Sequence, residues 1–333
     1  MLINLKQNNF NIEVDLPLSK SESNRALMVA FYLKTQRFKD SESQRLCDFI
    51  TSQLSNSDDT VLLKNLLEKT NQYIYHCKQS QLSVDCCPLT LDCANAGTVF
   101  RFLMTAVANL QLTINNEQLT INDEESYEVF RFSDFQILRF LLTGNERMKQ
   151  RPIDSLVEAL RSLGVSIEYT ERESYPPVLI RLRNIEGGRA EVNVEQSSQF
   201  ASSLLLAAPL WKNGLELYLK GDISSLPYID MTINMMKRCG IDVNRKDRDI
   251  LVKPGNYNID NIKIEPDWSA AAFWYEIAAL SECSDIFLKN LNIDSLQADS
   301  VAIKMFENLG VETILVKEGV KIRNTTFNSQ LLT

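Results

Sequence analysis

Six polar segments of this 333-residue chain combine residue types suited to holding an organic anion. The first is Ser19-Lys20-Ser21-Glu22-Ser23-Asn24-Arg25, which leads from a strand-like stretch into an apolar-periodic helix. Hydroxyls and unpaired N–H groups at a helix N-terminus, with a Lys and an Arg beside them, attract negative charge. Arg25 follows Ser21 by four residues, so one face of the first turn presents both. The second, Asp92-Cys93-Ala94-Asn95-Ala96-Gly97-Thr98, is a tight turn whose Gly permits close backbone approach, with Arg101 one turn later. The third, Thr143 to Ile153, gathers Arg147, Lys149 and Arg151 ahead of Pro152 at a helix start. Glu195-Gln196-Ser197-Ser198-Gln199-Phe200 and Ser224-Ser225-Leu226-Pro227-Tyr228 each place hydroxyls at a helix start, and Glu265-Pro266-Asp267-Trp268-Ser269 places a carboxylate there.

Each segment has an ordinary structural explanation as well. A Ser before a helix is a cap far more often than a phosphate ligand. Asp267 reads equally as a simple cap, and Lys149 reads better as a solvated turn residue. One such segment is weak; six in one chain is a pattern.

Strand-like and helix-like stretches alternate around these segments, which points to an α/β chain. Phe10–Leu16, Val178–Leu182 and Ala190–Val194 alternate as strands, whereas Asn24–Leu33, Ile153–Leu163 and Ile229–Cys239 have helical period. Three helices close in the same way, at Gly164, Gly240 and Gly310, each followed by a β-branched residue (Val165, Ile241, Val311). Their spacings of 76 and 70 residues imply repeated folding units. Lys34 to Ser57 and Leu110 to Asp134 read as surface insertions, the latter carrying QLTIN twice.

Composition narrows the class. With 43 acidic against 35 basic residues the net charge is −8, which disfavours nonspecific nucleic-acid binding. Seven cysteines without a CxxC pair, and a single His (His76), argue against a Cys/His zinc site and for reduced thiols in a cytoplasmic protein. Neither a signal-peptide core nor an apolar run of membrane-spanning length is visible.

In order, these segments resemble the SKSxSNRAL, NAGTxxRxL, LTGxxRMxxRPI, SSQFxSxLL, SxPYIxxTxxMM and EPDxSxAAF elements of the 3-phosphoshikimate 1-carboxyvinyltransferase (EPSP synthase) family. A seventh, Ser295-Leu296-Gln297-Ala298-Asp299, resembles its SxQGD element with Ala for Gly. So many ordered matches exceed what one short motif would establish. The resemblance implies an inside-out α/β barrel of two domains built from βαβαββ units. One domain would be complete, at 20–262, and carry most of the shikimate 3-phosphate contacts. The second would be partial, made of 1–19 plus 263–333.

It further implies transfer of the enolpyruvyl group of phosphoenolpyruvate to the 5-hydroxyl of shikimate 3-phosphate, by a monomer needing no metal or organic cofactor, with glyphosate as an inhibitor. Lys20 would touch both substrates as the catalytic residue within the chain. Ser21 and Arg25 would hold shikimate 3-phosphate, Ser197, Ser198 and Ser225 would surround its phosphate, and Gln199 would lie against its ring. Asn95 and Gly97 would line the phosphoenolpyruvate subsite and Arg147 would grip its anionic groups, with Arg101 and Tyr228 in supporting places. Departures from the pattern are Leu18 and Ala94 at positions commonly Gly, and Phe102 at one commonly Pro. The family's later catalytic Asp, Lys-Glu-Thr-Asp-Arg, Asp-His-Arg and final Lys elements have no counterpart before Thr333, so the expectation for these 333 residues alone is binding without turnover. Two alternatives remain at this stage: a noncatalytic phosphoshikimate-binding fragment, and the UDP-N-acetylglucosamine enolpyruvyl transferases, which typically show Lys-Asn where this chain has Lys20-Ser21.

Overall fold

The structure, a computed structural model, describes residues 9–36, 41–79, 88–110, 138–181, 185–258, 262–281 and 283–324. Twelve strands are present among them: β1 (Asn9–Val14), β2 (Leu89–Asp92), β3 (Arg139–Thr143), β4 (Ser166–Tyr169), β5 (Val178–Arg181), β6 (Gly188–Asn193), β7 (Leu215–Lys220), β8 (Val243–Lys246), β9 (Asp249–Val252), β10 (Cys283–Lys289), β11 (Val311–Val316) and β12 (Gly319–Asn324). The α-helices are α1 (Lys20–Gln36), α2 (Ser41–Ser52), α3 (Asp58–Gln79), α4 (Gly97–Ala108), α5 (Asp154–Ser162), α6 (Gln199–Ala207), α7 (Leu226–Arg238), α8 (Trp268–Leu280) and α9 (Ala302–Glu307).

The strands form three four-stranded sheets of one topology: β1-β10-β12-β11, β2-β3-β5-β4 and β6-β7-β9-β8. In each, the first pair is parallel and the other two pairs are antiparallel. A parallel pair needs a crossover, supplied by α8, α4 and α6; a second helix, α9, α5 or α7, leads into a closing hairpin. Each sheet is therefore one βαβαββ motif. The hairpin turns at β8–β9 and β11–β12 are two residues long; Asp247 takes a positive φ as the first turn residue of one, and Gly319 does so just after the other.

The three helix–Gly–strand junctions read in the sequence are the same step of the three motifs. Gly164, Gly240 and Gly310 sit at φ of 94°, 81° and 87°. At two of them the following residue closes a six-residue ring: Val165 N–H donates to Leu160 O at 3.0 Å, and Ile241 N–H to Met236 O at 3.0 Å.

The chain divides into two compact units. The first comprises residues 1–23, 53–57 and 263–333 and holds the β1-β10-β12-β11 motif. Its core is Trp268, Tyr275 and Ala278 from α8 against Ile286, Leu288, Val320 and Ile322 of the sheet. The second comprises 24–52 and 58–262 and holds the other two motifs. There the helices are interior. Ala26 to Leu33 of α1 are each at most 5% exposed, and Phe102 to Ala108 of α4 and Phe200 to Ala207 of α6 are buried on every side. The sheets bury one face only, as the alternation of β6 and β7 shows. Apolar helices surrounded by one-faced sheets make an inside-out arrangement.

One expectation changes. Residues 41–52 are a helix, α2, that buries Cys47 and Ile50, and the Cys47 thiol donates to Ala30 O at 3.3 Å. Lys34 to Ser57 is thus partly core, because Cys47 and Ile50, three residues apart, share one face of α2. The second insertion, with its QLTIN repeat, lies outside the described residues apart from Leu110.

A Cβ at Gly164 would meet nothing within 4 Å, so Gly164→Ala tests backbone strain alone. It should lower stability by about 1 kcal/mol in urea unfolding, with Gly164→Asn losing less.

Candidate functional site

Within each sheet the two parallel strands end on the same edge, and the helices that follow begin there. In the second unit this brings four of the sequence segments to the ends of β2, β3, β6 and β7. The segments after β2 and β3 are bonded to one another. Cys93 N–H donates to Thr143 O at 2.9 Å, and Asn145 N–H to Ala94 O at 2.9 Å. Asp92 closes its own turn by accepting from Ala94 N–H at 2.8 Å, and Asn145 Oδ1 accepts from Met148 N–H at 3.1 Å.

Arg101 and Arg151 converge on Gly97, the first residue of α4. A Cβ there would lie 2.7 Å from Arg151 Nη1 and 2.8 Å from Arg101 Nη1. Arg101 also stacks over the Phe200 ring, 5.1 Å from its centroid. Burial, and next the Arg151 charge, pull the Arg101 pKa down to about 10. A cation whose charge is disfavoured in this way would be relieved by an anion. The Nε of Arg101 and the Oδ1 of Asn95 are buried without a hydrogen-bond partner among the described residues. Arg101 reaches the Glu195–Phe200 segment directly: its Nη1 donates to Gln199 Oε1 at 2.6 Å, and Gln199 Nε2 donates to Thr98 Oγ1 at 2.6 Å. Ser197 and buried Ser198 precede Gln199 at the start of α6, with Ser197 Oγ accepting from Gln199 N–H at 3.2 Å.

Arg25 is placed otherwise than a solvent-facing ligand residue. It is 3% exposed, and its Nε donates to Thr232 Oγ1 at 2.8 Å and its Nη2 to Tyr228 O at 3.1 Å. It thereby ties α1 to the first turns of α7, which Ser225 opens. Arg147 is exposed on the turn after β3, and Lys149 beside it pairs with Glu171 at 3.1 Å, the surface role read for it in the sequence.

The first unit gathers the remaining segments. Leu18 and Pro266 form a β-bridge, flanked by Ser19 N–H to Glu265 O at 2.9 Å and Asp267 N–H to Pro17 O at 2.8 Å. Asp267 caps α8 by accepting from Ser269 N–H at 2.8 Å, and its other oxygen accepts from Lys20 N–H at 3.3 Å. Buried Gln297 holds this turn from the seventh segment, donating to Pro266 O at 2.7 Å and accepting from Trp268 N–H at 2.9 Å. Ser295 Oγ donates to Glu265 Oε2 at 2.5 Å, and Ser269 Oγ to Asp299. Lys20 is exposed at the start of α1 and Ser21 is half-buried beside it.

The named residues therefore fall into two clusters, one per unit: Arg25, Asn95, Gly97, Arg147, Ser197, Ser198, Gln199 and Ser225 in the second, Lys20 and Ser21 in the first. Sequence reasoning passed over Arg151 and Thr98 as site residues, though Arg151 was visible as one of three clustered cations. Among the described residues no group of three or more His, Cys, Asp or Glu is placed to hold a metal, and no helix is long and apolar enough to cross a membrane. The Cys93 thiol, beside the turn, is pushed well up by burial and is a packing group.

The fold is shared with solved EPSP synthase: the structure from Acinetobacter baumannii matches with a TM-score of 0.60 at 18% identity, over 96% of this chain and 66% of that one. That likeness defines the architecture of the class. The family model for EPSP synthase (3-phosphoshikimate 1-carboxyvinyltransferase) matches residues 5–330, and the chain belongs to that family. A 3-phosphoshikimate 1-carboxyvinyltransferase of Bacteroides fragilis is 36% identical over 311 residues, covering 93% of this chain and 62% of that protein. One from Actinobacillus pleuropneumoniae is 30% identical, covering 90% of this chain and 64% of its own length. The chain thus spans less than two thirds of the length of these relatives.

Two substitutions test the turns. Ala94 takes φ of 48°, a left-handed conformation, at a position where the resemblance points to Gly. Ala94→Gly should raise stability by up to about 1 kcal/mol in urea unfolding, the relief of strain exceeding the entropy Gly adds to the unfolded chain. Gln297→Leu should lower it by about 3 kcal/mol, since it leaves the Pro266 carbonyl and the Trp268 N–H buried without their partner.

Proposed function

We propose that this chain binds shikimate 3-phosphate through its second unit and serves the transfer of the enolpyruvyl group of phosphoenolpyruvate to the 5-hydroxyl of that substrate, giving 5-enolpyruvylshikimate 3-phosphate and phosphate. The observation that carries the reading is the convergence of Arg101, Arg151 and Gln199 on the helix start at Gly97. Two guanidiniums and the first N–H groups of α4 form a place for an anion, and hydroxyls at the starts of α6 and α7 add donors for a second.

In this reading Ser197, Ser198 and Ser225 surround the substrate phosphate, and Gln199 lies against the ring. Arg25 supports that face from beneath, through Tyr228 and Thr232. Asn95 and Gly97 line the phosphoenolpyruvate subsite, with Arg147 as an anion grip, and Lys20 and Ser21 are the first unit's candidates for substrate contact. The transfer joins the 5-oxygen to the central carbon of phosphoenolpyruvate as a proton reaches its methylene carbon. Phosphate then leaves and that carbon gives up a proton, so the hydroxyl must be deprotonated and the departing charge stabilised. Helix dipoles and guanidiniums serve the second requirement, and Lys20 is the catalytic residue of this reading.

Calorimetry with shikimate 3-phosphate tests the reading. The whole chain should bind it, and Ser198→Ala should weaken binding about tenfold by removing a hydrogen bond to a charged group. Arg25→Ala should weaken it at least as much, with circular dichroism checking that the helices persist. Unchanged affinity in both variants would remove the second unit's helix starts from the substrate site.

A further inference from the structure

We infer that Arg101 and Thr98 are positioning residues for Gln199, fixing its carboxamide at both ends so that a bound ligand meets it in one orientation. The ligand named in the test rests on the reading above; the clamp rests on geometry alone.

The two ends of the Gln199 amide look alike in shape but not in chemistry. A guanidinium can only donate, so the end facing Arg101 Nη1 at 2.6 Å must be the oxygen. The nitrogen is then turned to Thr98 Oγ1, also at 2.6 Å, where the hydroxyl accepts. Arg101 therefore sets which way the amide faces, and Thr98 sets the plane. Both belong to one face of α4, three residues apart, while Gln199 is the first residue of α6. After these two bonds the amide keeps one N–H and one lone-pair direction free, which a ligand at the helix starts would use. Without them the side chain's rotamer freedom would have to be lost on binding.

The clamp is itself held. Arg101 lies over the Phe200 ring, and its guanidinium occupies space that a Cβ at residue 97 would take. Further along the same helix pair, Thr105 Oγ1 donates to Ser203 Oγ at 3.0 Å, so α4 and α6 are registered at a second point well inside the unit. These are the crossover helices of consecutive βαβαββ motifs. The clamp converts their relative placement into the orientation of one amide.

The test uses the ¹⁵N-labelled whole chain. It measures the order of the Gln199 side-chain amide by NMR relaxation in the ligand-free protein, and shikimate 3-phosphate affinity by calorimetry. The amide should be ordered in the parent chain and in Thr98→Ser, which keeps the hydroxyl. It should loosen in Thr98→Val and in Arg101→Met, with affinity falling roughly tenfold in those two and staying within about twofold in Thr98→Ser. A purely structural loss would not be rescued by Ser. An amide equally ordered in Thr98→Val and Arg101→Met, or loosened with affinity unchanged, would overturn the inference. Failure of the parent chain to bind the probe would overturn the substrate reading instead, since amide order still decides the clamp.

Discussion

A helix that begins where a strand ends leaves its first N–H groups unpaired, and the candidate site of this chain is arranged around that fact. A βαβαββ motif makes its first two strands parallel, so both end on one edge of the sheet and both following helices start there. Among the described residues the motif-bearing segments lie on such edges: Ser19 to Arg25 beyond β1, the Asn95 turn beyond β2, the Arg147–Arg151 loop beyond β3, Ser197–Gln199 beyond β6, Ser225 beyond β7 and Gln297 beyond β10. The topology thus supplies, along the edge of each sheet, two positive dipole ends before any particular side chain is chosen. The choice of Arg, Ser and Gln then makes some of those ends specific.

The interior placement of the helices imposes a second condition. Helices buried on all sides have no solvated face on which to keep polar residues, so each polar group inside must find a partner within the unit. The second unit meets much of this with short side chains. Thr232 Oγ1 bonds Ser202 Oγ at 2.9 Å, Thr105 bonds Ser203, and the Trp211 indole N–H donates to Asn109 Oδ1 at 2.7 Å. Arg25 joins the same network, which explains how a guanidinium tolerates near-complete burial. Removing it would leave Thr232 and the Tyr228 carbonyl to rearrange, so its contribution to a ligand is inseparable from its contribution to the ends of α1 and α7.

How much of this was legible in the residues follows from which interactions are local. The three Gly-terminated helices were readable because a left-handed C-cap is specified by the residue at that position and by little else. The helical period of Ile153–Leu163 placed α5 within a residue at each end. The α2 helix was hidden because its polar composition resembles a loop, and the two described residues it buries, Cys47 and Ile50, are too few to make a helical period stand out. The site divides in the same way. The segments were recognisable one by one, but Thr98 with Gln199, or Arg101 with Arg151, meet across gaps in sequence that no period encodes.

Hydrogen-bond capacity separates the residues that hold the segments from those that face outward from them. Asp92, Asn145, Asp267 and Gln297 each turn their side-chain acceptors inward to backbone N–H groups, which makes them builders of the turns in which they sit. Gln297 is the clearest case: it belongs to a recognisable family element, yet both ends of its amide are engaged by the turn before α8. Arg101 and Asn95 differ, because each carries a buried polar atom that the described residues leave without a partner. A folded chain rarely leaves such atoms uncompensated, since the cost falls on the native state. Asn24, Asp154 and Asp285 carry such atoms as well, so what sets the start of α4 apart is the coincidence of the Arg101 and Asn95 atoms there with a second guanidinium, Arg151, and with an amide held at both ends. That makes this point, rather than the better-satisfied turns, the candidate site.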